Sequence, residues 1–564
     1  MKKILMLIIS GFSLMLINGC GNQGQQKSDM NKEFSDFVTK YEAKVKPLIK
    51  EMCIAYFDAA ISGKEEDYKK SADLEFKLSK IYADKNDFQL LKKIKESGEI
   101  KDSILNRELI KLYNAFLSQQ IDTAKTKKMI DLQSKIAKDF NTFRAEVNGK
   151  QITDNDIEDI LSKSTNNNEL KAAWLATKKS GELVSQDVIK LVKLRNEVAK
   201  ELGFKNFHEM SLILSDQKPE EIASLFDELD NLTRDAFAKC KEEMDNYFVK
   251  RYNVKKDELM PWHYQNRFFQ EAPKIYNVDL DIYYKDKNVV DIMKKYYDGI
   301  GISIDDLLAK SDMYEKSGKN QHAFCIDIDN EGDVRVLCNV KPNSKWMNTV
   351  LHEFGHAAYD KYIDKSLPYT LREPAHTFTT EAIAMVFGRF SSNPQWIKDN
   401  VGISDNEKNK IADDCFNTLK LEQLTFSRWA QVMYRFEKSM YENPDQDLNK
   451  LWWDLVEKYQ MLKRPTDRNA PDWASKIHLA TSPCYYHNYL LGELLASQLY
   501  YTIIDKVIKS NDYKNQSFTN NKEIGKFLIE KVFAPGSKYY WNDMIEKATG
   551  EKLTAKYYAK QFVN

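Results

Sequence analysis

Apolar positions along the chain recur mainly every three to four residues, the spacing of a buried helix face. From about residue 31 to 150 the pattern predicts amphipathic helices with short polar breaks such as Ser62-Gly63-Lys64. A second helical stretch is predicted over about 167–250, with a stop at Gly203. Strand-like alternation stands out only from His322 to Val340, on both sides of the turn cluster Asp329-Asn330-Glu331-Gly332-Asp333. There Phe324, Ile326 and Ile328 match best with Val340, Cys338 and Val336, a register that puts Cys325 and Cys338 on opposite faces. Helical patterns resume at about Ser344 and run to the C-terminus. No repeat or low-complexity segment interrupts them.

Composition supports a mainly α protein. Only 20 Gly and 13 Pro occur in 564 residues, and 42% of the chain is hydrophobic, enough for a large core. The charges balance, 84 basic against 84 acidic, which argues against nucleic acid or an acidic membrane surface as the main partner. Six cysteines follow Cys20, none at metal-ligand spacing, so the chain is no disulfide scaffold.

The N-terminus has the form of a targeting segment. Lys2 and Lys3 precede an apolar run from Ile4 to Ile17, too short to cross a bilayer core of ~30 Å as a helix. Ile17-Asn18-Gly19-Cys20 resembles the lipobox of bacterial lipoproteins. The expectation is a signal peptide over 1–19, a lipidated Cys20 and tether over 20–30, and one helical domain over 31–564. The protein would then be exported across the inner membrane and held at the cell envelope by its lipid alone.

His352-Glu353-Phe354-Gly355-His356 carries H-E-x-x-H. On a helix the two histidines share a face, so both imidazoles can reach one ion, with zinc the default. Glu353 then lies beside the water that the metal polarises and can take its proton. The third ligand has two candidates. Glu373 adjoins Pro374 in a loop-like segment, while Glu381 opens an otherwise apolar helix through Phe387. A carboxylate buried in such a helix is costly unless paired or metal-bound, which favours Glu381. Glu373 is left as a partner that could orient a ligand histidine.

With these residues in place the chain resembles the angiotensin-converting-enzyme family of peptidyl-dipeptidases, most densely over about 320–500. His322-Ala323 resembles the family's substrate-binding edge strand, and Leu371-Arg372-Glu373 with Glu381-Ala382-Ile383 resembles its third-ligand region. Lys476-Ile477-His478, and Pro483 with Tyr486 and Tyr489, resemble its Lys-Phe-His and Pro-Tyr-x-x-Tyr segments; His263 and Gln270 resemble an upstream pair. The resemblance implies a two-lobed helical fold with a deep cleft and a small edge sheet. It implies one zinc ion on His352, His356 and Glu381, with Glu353 as base. His478 and Tyr489 would stabilise the oxyanion, His322 and Ala323 would bind substrate backbone, and Gln270, Lys476 and Tyr486 would hold the C-terminal carboxylate. Dipeptides would leave the C-terminus of short peptides.

Some positions depart from the family. Met385 stands where the family has an Asp behind its ligands, leaving Glu373 or a backbone carbonyl to orient them. Asn488 replaces an Arg that helps bind chloride, and Gln321 replaces a disulfide cysteine. One extra residue between His478 and Tyr489 leaves the choice of tyrosine open. Two other readings remain: a thimet-type or oligoendopeptidase cutting internal bonds, and a non-catalytic peptide-binding lipoprotein. The direction of Lys476, into the cleft or toward solvent, separates the first of these from the exopeptidase.

Overall fold

The computed structural model describes residues 29–276 and 278–563. Cys20 and the expected signal segment lie outside the described residues. Among the described residues, nine helices fill the first half: α1 Met30–Ser62, α2 Glu65–Tyr82, α3 Lys85–Ser97, α4 Ser103–Leu117, α5 Thr123–Thr142, α6 Asp154–Lys163, α7 Asn167–Glu201, α8 Phe207–Leu214 and α9 Pro219–Tyr252. Several open on an aspartate cap: Asp29, Asp84, Asp102 and Asp122 each accept two backbone N–H bonds from the first turn. The expected breaks at Ser62-Gly63-Lys64 and Gly203 both end helices.

A short hairpin between α5 and α6, β1 Ala145–Val147 with β2 Lys150–Ile152, was not expected. Its turn is Asn148-Gly149, both at positive φ (54° and 77°), which Asn and Gly adopt most readily. That dipeptide was its sequence signal.

The second half begins with α10 Asp281–Tyr284, α11 Val289–Gly299 and α12 Asp305–Lys310. The hairpin β3 Phe324–Asp327 and β4 Val334–Leu337 follows. Its register corrects the expected one: Phe324 pairs with Leu337, Cys325 with Val336 and Asp327 with Val334. The turn explains the shift. Asp327 and Asp329 accept the N–H groups of Asn330 and Asp333, and Ile328 N–H bonds to Asp333, so the strands close early. Cys338 and Val340 then bond to Asp312 and Met313 instead. Cys325 and Cys338 therefore share a face. Both are nonetheless free, and burial pushes both thiols up.

Next come α13 Ser344–Tyr362, α14 Thr377–Arg389, α15 Pro394–Val401, α16 Asp405–Glu442, α17 Leu448–Leu455, α18 His478–Thr481 and α19 His487–Ile503. Three further helices, α20 Lys522–Leu528, α21 Trp541–Thr549 and α22 Lys556–Phe562, close the chain. The mainly α expectation is met. One hydrophobic core runs continuously from Ile136 to Phe562, and α1, α3 and α4 enclose a second. Within the larger core α13 lies against α14, and α14 against α19. This stack places the metal motif, the third ligand and the tyrosine segment side by side.

Candidate active site

Helix α13 begins where the sequence requires it. The Asn343 side chain accepts from Trp346 N–H, and Asp281 accepts from both the amide and the hydroxyl of Ser344. Met347, Val350, Leu351, Phe354 and Ala358 bury one face. His352 and His356 stay half-buried on the side toward a cavity of about 920 Å³. The close approach of α14 brings Glu381 to the same point. Its carboxylate lies 3.7 Å from His352 Nε2 and 3.9 Å from His356 Nε2, while the two Nε2 atoms face each other at 3.3 Å. One ligand atom from each of these three residues falls within 4.8 Å of the others, the only such set of three among the described residues.

The donor set fits a zinc ion. Burial pushes His352 down to about 4 and His356 down to about 3, so both imidazoles are neutral and can ligate. His356 Nδ1 is bonded to Thr380 Oγ1 at 2.7 Å, which leaves its Nε2 free for the metal. Three N/O donors beside an open cavity match a catalytic rather than a closed structural site. Burial, with Glu493 nearby, pushes Glu381 up to about 7. Burial, with Glu381 nearby, pushes Glu353 up to about 8. A dication reverses this pressure and favours the ionised carboxylates.

The expected role of Glu373 is corrected here. Its carboxylate pairs with Lys111 on the cavity wall, and the partner of His356 is Thr380. The segment before α14 turns Glu373 away from the ligands, whereas Thr380, one residue before Glu381, is carried to them by the helix itself. Sequence reasoning missed Thr380 because a single hydroxyl in a helix has no periodic signature. Glu493 was also missed. It is held by Arg389 and Gln423, and its charge reaches both His352 and Glu381.

The three residues expected to bind a carboxylate come together. Lys476 is only 8% exposed, and its Nζ donates to Gln270 Oε1 at 2.6 Å. It also lies 5.2 Å from the Tyr486 ring centre and 5.4 Å from that of Trp429. Trp429 Nε1 donates to the Tyr486 hydroxyl at 2.8 Å, fixing that ring. Burial pushes Lys476 down to about 8. Gln270 opens onto a second cavity, of about 640 Å³, which also contains Glu271, Glu422 and Glu493. His263 does not join this group. It is buried, and its Nδ1 accepts Met260 N–H.

His478 begins α18 with its ring 5.5 Å from that of Tyr486, and its buried Nδ1 has no hydrogen-bond partner among the described residues. Burial and the Lys476 charge push it down to about 4, so it is neutral. Tyr489 is half-buried on α19, between the rings of Tyr485 and Tyr486 at 5.3 and 5.5 Å. Burial and Glu381 raise both Tyr485 and Tyr489. Tyr485, unassigned in the sequence reading, lines the larger cavity with Glu381. His322 is exposed just ahead of β3, and its neighbour Ala323 lines that cavity. Asn488, at the family's Arg position, is buried and accepts from Gln217 Nε2 at 2.7 Å.

The Peptidase_M2 family model, described as angiotensin-converting enzyme, matches residues 28–562. An angiotensin-converting enzyme from Theromyzon tessulatum is 24% identical over 493 residues, covering 81% of this chain and 79% of that protein. The rat angiotensin-converting enzyme is 22% identical over 70% of this chain, but the match spans only 32% of that longer protein. Carboxypeptidase 1 of Bacillus subtilis (strain 168) is 26% identical over 260 residues, 42% of this chain and 50% of that one.

Proposed function

Because the chain belongs to the angiotensin-converting-enzyme family of metallopeptidases, we propose that it releases dipeptides from the C-terminus of short peptides. Lys476 carries this reading. A buried ammonium whose hydrogen-bond acceptor is a neutral amide, with the Glu271 charge near but not bonded to it, is incompletely compensated, and an incoming carboxylate satisfies it. Gln270 and Tyr486 flank the same point. A fixed cation there would set the cut a fixed number of residues from the substrate's end, whereas an internal-bond peptidase has no use for it.

Zinc held by His352, His356 and Glu381 would supply a Lewis acid and lower the pKa of water toward roughly 7. Glu353, on the same helix face and lining the same cavity, takes the proton from the attacking water. It then delivers that proton to the leaving amine. His478, neutral and with an uncommitted ring nitrogen, and Tyr489 donate to the oxyanion that develops on the scissile carbonyl. Ala323, with His322 ahead of it, would align the substrate backbone along β3.

We further propose export and lipid attachment through Cys20, supported by the N-terminal sequence; among the described residues no helix is long and apolar enough to cross a membrane.

The test is digestion of an N-terminally blocked octapeptide by zinc-loaded protein beginning after Cys20, with products read by mass spectrometry and Glu353→Ala as control. Stepwise dipeptide loss from the C-terminus, absent in the control, is expected. Internal cuts alone would replace this reading with an endopeptidase. Failure to bind zinc would favour a peptide-binding lipoprotein.

A further inference from the structure

Two cavities bear on the site: one lined by the three ligands, the other by Gln270 and Glu493. The smaller reaches Gln270, and the larger extends from His352 and His356 past Ala323 and Cys325 to Asp360. If the substrate's C-terminus lies at Lys476 and Gln270, residues on the N-terminal side of the scissile bond occupy the larger one. One edge of β3 pairs with β4, and β4 in turn bridges to Asp312, so the other edge of β3 has no strand partner among the described residues. A substrate strand laid there would pass Asp360, which sits on α13 one helical turn beyond His356.

The charged groups around Asp360 are mostly committed. Lys111 pairs with Glu373, and Arg107 with Asp216. The Asp327 carboxylate accepts the N–H groups of Asp329 and Asn330. Lys365 is the nearest cation, but its Nζ donates at 3.1 Å to the main-chain oxygen of Asp360, not to the carboxylate. Among the described residues that carboxylate has no hydrogen-bond donor. Burial and the Asp327 charge push it well up. A cation brought in from the cleft would oppose both effects and hold the carboxylate in its ionised form.

We propose that Asp360 makes this peptidase select substrates carrying Arg or Lys at one of the two residues N-terminal to the scissile bond. The proposal rests on the dipeptide-release reading for its orientation. A guanidinium entering from the cleft would meet Asp360 directly, with Asp327 adding to the field behind it. The Lys111–Glu373 pair on the same wall is neutral overall and does not oppose it.

The test uses blocked pentapeptides with Arg, Met or Glu at each of those two positions, on zinc-loaded wild type, Asp360→Asn and Asp360→Glu. At one position wild type should favour Arg over Met by roughly tenfold or more in kcat/KM, the scale of one charge-assisted hydrogen bond. The Arg/Met ratio should fall to about 1 in Asp360→Asn and recover in part in Asp360→Glu. Mass spectrometry locates the cut in every digest, so internal cleavage would overturn the dipeptide reading while the Arg preference is still scored at the bond that breaks. The same ratios are measured as peptide binding to zinc-loaded Glu353→Gln, which covers the case of no turnover. A ratio near 1 in wild type, or one unchanged in Asp360→Asn, overturns the proposal.

Discussion

Replacing Thr380 by Val tests whether the tertiary contact behind His356 matters to the metal. Thr380 Oγ1 lies 2.7 Å from His356 Nδ1 and is the hydrogen-bond partner of that nitrogen. Valine fills nearly the same volume but cannot accept the Nδ1 proton. The imidazole then loses the bond that fixes its tautomer and aims Nε2. Partners of this kind typically contribute 10- to 100-fold to metal affinity, about 1.4–2.7 kcal/mol. The cost to the apoprotein should be about 1–3 kcal/mol for one unpaired polar atom, too little to unfold a core of this size. The assay is zinc competition with a chromophoric chelator at neutral pH, alongside thermal unfolding of the metal-free protein. Thr380→Ser, which keeps the hydroxyl, should bind zinc within a fewfold of wild type. Wild-type affinity in Thr380→Val would refute the reasoning and point to another group as the determinant of His356 orientation.

Glu353→Gln should retain zinc yet lose about 10³-fold or more in kcat, the range of a general base; substantial turnover would remove Glu353 from that role. Lys476→Met should raise KM for peptides with a free C-terminus far more than for their amides, checked by paired kinetics. Lys476 is pushed down to about 8, so its charge is present below that pH and lost above it. Wild-type kcat/KM for free-carboxylate peptides should therefore decline above about pH 8, and Lys476→Arg should move that decline to higher pH. Gly355→Ala places a Cβ 2.9 Å from Ala384 Cα and should separate α13 from α14. It should cost about 1–3 kcal/mol in urea unfolding and weaken zinc binding; an unaffected midpoint would contradict the packing.

Much of the helical architecture was legible because helix signals are local. Apolar spacing, side-chain caps such as Asp29 and Asn343, and stops such as Gly203 act within a few residues. The β elements were read less well. Alternation located β3 and β4, but their register was set by Asp327 and Asp329 capping the turn and by Asp312 claiming the far end of β4. The hairpin at Asn148-Gly149 was too short for its alternation to show.

The sequence by itself determined the pair His352 and His356, because helical geometry alone puts residues four apart on one face. It also favoured Glu381 over Glu373, because a carboxylate in an apolar helix needs a reason to be there. Only the tertiary structure decided the rest. The packing of α13, α14 and α19 brings Thr380 onto His356 and the Glu493 charge near the ligands, and it leaves Asp360 lining the same cavity as Phe324 and Cys325 of β3. The same packing buries Lys476 against Gln270, 206 residues away in the chain. Contacts between distant segments leave no trace in local spacing. Whether a lone Lys, Thr or Asp is a solvated surface group or part of a site depends on what the folded chain places against it.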